Sequence, residues 1–405
     1  MPSATMTTST TSTRLILPVL VAATALGLLA SAIYVPSIPD IARELGVPVG
    51  MVQLTLTTYL VAFGVATPFV GALSDRFGRR VVLLVGSMVC AAASLACAFA
   101  SSIELLLIGR AVQAVGACTG MVVSRAAVRD IFAREDTTRA MAVIAMAATL
   151  APVLAPILGG YVHVWLGWRA NFVILVAWAL GVVIFAVWQL PETNLNRQAL
   201  GSLVRGLFTG FATLLRYREF LAYTLAIASG GVTFYSFIVA VPVILIDRFG
   251  ISADLFGLYV GIPPIGFLAG SFVTSRLTRR VGPNRMILCG GAGHVLCGSL
   301  LVGLAAAGFA APWSVIGPLV IMGFSNGLIM ANAYAGGVSV QPQLAGAASG
   351  LANFVQMFMA GAAAASFAAI TIESATPVGI VIAGSGIVIL LFFPALLRGA
   401  ARTPG

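Results

Sequence analysis

The 405-residue chain contains no lysine, and only 8% of its residues are charged. Soluble domains carry about 25% charged residues. A chain this poor in charge cannot cover itself with polar surface in water, so the solvent it is built for is lipid. Cysteine is scarce too: Cys90, Cys97, Cys118, Cys289 and Cys297 are odd in number and all fall inside apolar runs. They match no metal-ligand spacing and suggest no disulfide framework. Histidine is limited to His163 and His294. No nucleophile stands near a base and no His/Glu set has metal spacing, so no catalytic residue, metal site or cofactor is expected, and an enzyme is excluded. The alternating short strands of a membrane β-barrel are missing as well. No connection reaches thirty residues, which leaves no room for the soluble domain of a sensor.

What is present is apolar: 60% hydrophobic residues and a mean hydropathy of +1.05. A helical span needs about 20 apolar residues. Runs of that length fall near 15–35, 51–73, 81–100, 103–125, 138–162 and 168–190, then near 220–245, 255–275, 285–307, 312–334, 346–370 and 377–397. The first run is long enough to span and is read as a retained helix rather than a signal peptide. The expected architecture is an all-α membrane protein of twelve transmembrane helices in two pseudo-symmetric six-helix halves. The halves cover 15–190 and 220–397, joined by a polar central loop over 191–219. Tails 1–14 and 398–405 flank them.

The net charge of +10 comes from 22 arginines, and their placement argues against nucleic acid as a partner. With both termini cytoplasmic, 18 fall in cytoplasmic segments. Arg43, Arg169 and Arg248 fall outside, and Arg110 sits within the fourth span. Such asymmetry orients a membrane protein and predicts a multi-pass protein of the bacterial inner membrane. The halves echo one another, with GALSDRFGRRVVLL from Gly71 and GSFVTSRLTRRVGPNRMIL from Gly270 in corresponding loops. Two halves with a site between them at mid-membrane is a transporter plan.

Three stretches carry mechanism. Gly71, Asp75, Arg76, Gly78, Arg79 and Arg80 lie between the second and third spans. This stretch matches the loop motif of the major facilitator superfamily almost residue for residue. Gly71 permits close helix contact, and Asp75 can pair with arginines across the seam between the halves, which gives a two-state gate; the plain alternative is a positive-inside anchor. Arg110-Ala-Val-Gln113 resembles the superfamily's fourth-span arginine motif. A charge at that depth costs about 2.5–3.5 kcal/mol on insertion scales, so Arg110 either faces a cavity or snorkels outward. Pro152, Pro156, Gly159 and Gly160 resemble the fifth-span motif associated with antiporters. Prolines remove backbone donors and bend the helix, while small residues permit tight packing.

Within the superfamily the chain resembles the Bcr/CflA-type drug exporters. The matching pieces are IYVPSIPDI from Ile33, VQLTLTTYLV from Val52, VSRAAVRDIF from Val123 and LGWRANF from Leu166, with MANAYAGG from Met330 and AGAASGLANFVQ from Ala345 in the second half. The resemblance implies a monomeric multidrug or antibiotic exporter of amphipathic small molecules, by antiport against protons. A carrier of an amino-acid derivative or sugar on the same fold is the alternative. One departure stands out. Where proton-coupled relatives place an acid in the first span, this chain has Ala32, and its twelve acids all lie in loops or near span ends. The counterpart of Arg110 is therefore expected outside the first span. The expected substrate cavity is lined by Arg110, Tyr34, Tyr59, Gln113, Phe234, Tyr235, Asn332, Asn353 and Gln356, whose aromatic and amide groups suit amphipathic ligands.

Overall fold

A computed structural model of the chain describes residues 10–132, 134–194, 200–309, 311–370, 372 and 374–400. Most of the expected tails (1–9 and 401–405), Arg197 and Glu373 lie outside the described residues. The first half comprises α1 (Thr10–Ala32), α2 (Ile38–Leu45), α3 (Val49–Phe77), α4 (Arg79–Ala98), α5 (Ile103–Ile131), α6 (Arg134–Leu166) and α7 (Trp168–Gln189). After α8 (Leu200–Leu214) come α9 (Arg218–Pro242), α10 (Ala253–Val260), α11 (Pro263–Val281), α12 (Pro283–Ala306), α13 (Pro312–Ser339), α14 (Ala345–Ala368) and α15 (Thr376–Ala400). No strand occurs among the described residues. Eleven helical stretches there are long and apolar enough to cross a bilayer, with α1–α2 and α10–α11 each forming one; the bent α6 supplies a twelfth.

Prolines set the breaks. Pro36 and Pro39 end α1 and restart the chain as a 3-10 turn and α2. Pro263 and Pro264 part α10 from α11, a break that the apolar run over 255–275 does not announce. In α6 the parts Arg139–Pro152 and Leu154–Leu166 meet at 41°. Each proline removes an amide donor and crowds the preceding turn.

The central connection is not the plain polar loop expected from its sequence. Its α8 puts Leu207, Phe211 and Leu214 at intervals of four and three residues, the spacing of one helix face. Leu214 is buried, and the Phe208 ring meets Phe69 of α3 at 6.3 Å. On the other side Gly210 faces Ala347 of α14, so the helix touches both halves. Arginines scattered through the stretch mask this face in a composition reading.

Inside each half, small residues let backbones meet. A Cβ on Gly120 of α5 would lie 2.0 Å from the Ala23 carbonyl oxygen of α1, so only glycine permits that crossing. The internal echo is visible in the backbone: Gly78 and Gly282, at the α3–α4 and α11–α12 joints, both adopt positive φ, 104° and 90°. Between the halves, α3 packs on α14 and α6 on α10. Large apolar side chains cover the outside, and Trp165 and Trp188 are each 76% exposed, as suits a lipid-facing surface with aromatic anchors.

Candidate functional site

A cavity of about 260 Å3 lies between the halves. The first half contributes Leu28, Met121, Arg125, Ala148 and Pro152. The larger share comes from the second half, including Phe234, Tyr235, Asn326, Tyr334, Asn353 and Gln356, with Met322, Met330 and Met357 between them. A second cavity of about 310 Å3 shares Met121, Arg125 and Asn353 with the first and continues past Thr67, Gly71, Asp75 and Arg129. The central space thus runs toward the face that carries the arginine-rich loops. At the arginine-poor face the halves are in contact. A Cβ on Gly50 would fall 2.1 Å from the Ala368 carbonyl oxygen, and Gln53 Nε2 donates to the Val239 carbonyl at 3.1 Å.

Arg110 is in neither cavity. It is fully buried and closed in a cage. The guanidinium carbon sits 4.5 Å from the Tyr34 ring centroid and 4.2 Å from that of Tyr59, a two-sided cation–π contact. Arg110 Nη1 donates to the Ala30 carbonyl at 2.7 Å and to Gln113 Oε1 at 2.5 Å. Ala30 lies in the last turn of α1, where carbonyls run out of intrahelical partners and the helix end favours a cation. Gln113 Nε2 passes the chain on to Ser94 Oγ at 2.7 Å, and Ser94 to the Cys90 carbonyl at 2.6 Å. The two tyrosines are held in turn: Tyr34 Oη pairs with Thr55 Oγ1 at 2.7 Å, and Tyr59 Oη donates to the Gly27 carbonyl at 2.6 Å. Two sequence expectations are corrected here. Arg110 neither lines the cavity nor snorkels, and its partners do come from the first span, as a ring and a carbonyl rather than an acid.

Asn332 also lies away from the cavities. Its Nδ2 donates to the Leu328 carbonyl at 2.8 Å, and its Oδ1 accepts from Thr278 Oγ1 at 3.1 Å, tying α13 to α11. Of the nine residues expected to line the site, the structure brings Phe234, Tyr235, Asn353 and Gln356 together on the central cavity. Tyr34, Tyr59, Arg110 and Gln113 form the cage instead.

At the α3–α4 joint, Asp75 pairs with Arg79 at 2.5 Å. Arg79 Nε reaches Asp130 Oδ2 at 3.1 Å, and its Nη1 reaches Ser74 Oγ at 2.6 Å. Glu192 Oε1 accepts the Arg79 amide at 2.8 Å, with its other carboxylate oxygen where a Gly78 Cβ would stand. Arg80 donates to the Val187 carbonyl at 2.6 Å, Arg76 is exposed, and Gly71 borders the second cavity. All these contacts run within the first half and the start of the central connection. Among the described residues Asp75 pairs with Arg79, one turn on, so the inter-half pair expected for it is not formed in this conformation. Asp130, within the VSRAAVRDIF stretch, and Glu192, just after α7, carry the joint with Arg79.

Along α6, Pro152 borders the cavity. One turn on, the Pro156 carbonyl and Ile157 face Gly257 of α10, where a Cβ would come 2.7 Å from the Ile157 Cα. Gly159 lies against the Ile33 carbonyl, and Gly160 is buried. The stretch thus sits on the seam.

The family model of the Major Facilitator Superfamily matches residues 20–365. The chain belongs to that superfamily. It is 28% identical to Multidrug resistance protein D of Escherichia coli K12 over 93% of this chain and 94% of the relative. It is 34% identical to a chloramphenicol resistance protein of Pseudomonas aeruginosa over 70% of this chain and 68% of the relative. A bicyclomycin resistance protein homolog of Haemophilus influenzae is 28% identical over 85% and 86%. These relatives support the Bcr/CflA-type resemblance read from the sequence. Among solved structures, the xylose transporter XylE of E. coli in a partially occluded inward open conformation superposes with a TM-score of 0.74 at 12% identity, covering 95% of this chain and 98% of that one. That likeness shows the all-helical fold alone; the family model and the relatives make the chain a transporter and not an enzyme.

Sequence reasoning missed Asn326, Tyr334 and the methionines. The signal was there as a stripe: Met322, Asn326, Met330 and Tyr334 recur every fourth residue of α13, which puts them on one face of a helix.

Proposed function

We propose that this chain is a multidrug or antibiotic efflux transporter of the bacterial inner membrane, monomeric, with both termini cytoplasmic. It exports amphipathic small molecules by alternating access. One observation carries the reading: an apolar cavity between the halves, with a few amides and tyrosines, continues toward the arginine-rich face while the opposite ends of the halves meet. With the arginine-rich face in the cytoplasm, the cavity is open to cytoplasmic solutes, as an exporter needs for loading, and the relatives' names favour export over import. Relatives named for multidrug, chloramphenicol and bicyclomycin resistance support the substrate class.

The reading includes proton antiport, as the resemblance implies, but routed away from mid-membrane. His163 Nε2 lies 2.5 Å from Asp40 Oδ2. The pair borders a cavity whose far wall is Ile246, Ile251 and Ser252 of the second half. A proton taken there acts on the closed end of the seam.

Expression in a drug-sensitive bacterial host tests the function: chloramphenicol accumulation falls and resistance rises. Unchanged accumulation and resistance across a panel of amphipathic antibiotics overturns it. Reporter fusions after Asn194 and at the C-terminus both report cytoplasm; a periplasmic signal from either overturns the orientation.

A further inference from the structure

Two polar groups on the central cavity keep unmet hydrogen-bonding capacity among the described residues. Arg125 lies at the end of the fourth span and borders both cavities. Among the described residues no carboxylate forms an ion pair with it. The only acid on either cavity wall is Asp75, which Arg79 already holds. A guanidinium half-buried on a cavity wall at a span end keeps donor capacity that an anion can take. Arg129, four residues on and so on the same helix face, borders the outer cavity. The two guanidiniums mark a positive path from the arginine-rich face inward.

The second group is Asn326, only 4% exposed. Thr233 Oγ1 donates to the Gly230 carbonyl at 3.0 Å, so its oxygen is free to accept the Asn326 Nδ2–H at 3.1 Å. This fixes which end of the amide is which. The remaining Oδ1 lacks a donor and is closed to water, packed toward Gly230, although the residue borders the cavity, so a ligand reaches it by a side-chain shift at the wall. An orphaned buried acceptor costs free energy that a ligand hydroxyl or N–H would recover.

We propose that the central cavity selects amphipathic organic anions, with Arg125 taking the anionic head and Asn326 Oδ1 taking a hydroxyl or N–H on the ligand. Phe234, Met322 and Met357 receive the apolar body. The inference rests on the efflux reading and adds a charge preference to it. Lipophilic cations are disfavoured because the cavity wall offers them a guanidinium and no free carboxylate.

The test is equilibrium binding to the purified full-length protein in lipid nanodiscs. The probes are chloramphenicol, its anionic succinate hemi-ester and ethidium. The hemi-ester should bind about tenfold more tightly than chloramphenicol, a charge-assisted hydrogen bond against a neutral one, and ethidium more weakly than either. Arg125→Gln should collapse the anion preference to about unity, and Arg125→Lys, which keeps the charge, should retain most of it. Asn326→Leu should weaken both chloramphenicol compounds by about fivefold, since both carry hydroxyls. An anion preference that is absent from the unmodified protein, or that survives Arg125→Gln, overturns the inference while efflux stands. Failure of all three probes to bind overturns both. Should Arg125→Gln fail to fold, loss of the preference at high salt in the unmodified protein, with chloramphenicol binding held, decides the matter in its place.

Discussion

Arg110 and Arg125 stand on the same helix, about 22 Å apart at 1.5 Å per residue, yet they meet opposite conditions. Arg110 is sealed between two tyrosine rings with a helix-end carbonyl and an amide as acceptors. Arg125 opens on two cavities and forms no ion pair among the described residues. The difference teaches that a charge within a span is not by itself a binding group. A cation enclosed by rings and one pair of acceptors holds helices together even with its Nε and Nη2 left without acceptors, and one that opens on a cavity is available to something that comes and goes.

The largest expected effect comes from emptying the cage. Arg110→Ala leaves Gln113 without its donor and opens a void between the rings. Leaving the buried Ala30 carbonyl and Gln113 Oε1 without their donor costs about 1–3 kcal/mol each. Thermal unfolding in detergent should shift down by several degrees and transport should fall by more than a hundredfold. Unchanged melting would mean that the cage does not hold the first half. Arg110→Lys comes next. A compact ammonium cannot cover both rings and still reach both acceptors, so transport should drop by about tenfold with a smaller loss in melting temperature. Parental transport by the lysine variant would reduce the cage to a simple requirement for charge.

Asp75→Asn tests the joint. Arg79 keeps Asp130 and Glu192, so folding and insertion should hold while transport falls by about fivefold in vesicles. Parental rates would make the loop an anchor only. The smallest effect is expected from Ala32→Asp, which sets a carboxylate two residues from the carbonyl that Arg110 uses. It should add roughly twofold dependence on a pH gradient to chloramphenicol uptake by everted vesicles. No change in that dependence would show that the cage is closed to new partners.

The contrast between the two arginines also marks what could be read from sequence. The spans, the paired halves and the glycine joints follow from local patterns, because hydropathy and positive φ belong to a few neighbouring residues. The cage does not. It depends on the end of α1 and the side of α3 meeting α5, and no spacing in the chain announces that Tyr34, Tyr59 and Arg110 share one point. Arg125 was visible as one of a cluster of arginines near a span end, where the positive-inside rule gave it a sufficient reason to exist. Asp130 and Glu192 were counted only as loop acids for the same reason. The α13 stripe was readable in principle, yet methionine in an apolar span draws no notice until a cavity lies beside it.

Met121, Met322, Met330 and Met357 stand around the central cavity. Thioether chains are unbranched and polarizable, and they change rotamer at little cost. A wall made of them behaves as a cushion and not as a mould, re-forming around outlines that differ in shape while keeping contact. Breadth of recognition then resides in the soft wall and discrimination by charge in the fixed arginine, so the range of shapes accepted and the sign of charge accepted can be altered independently of one another.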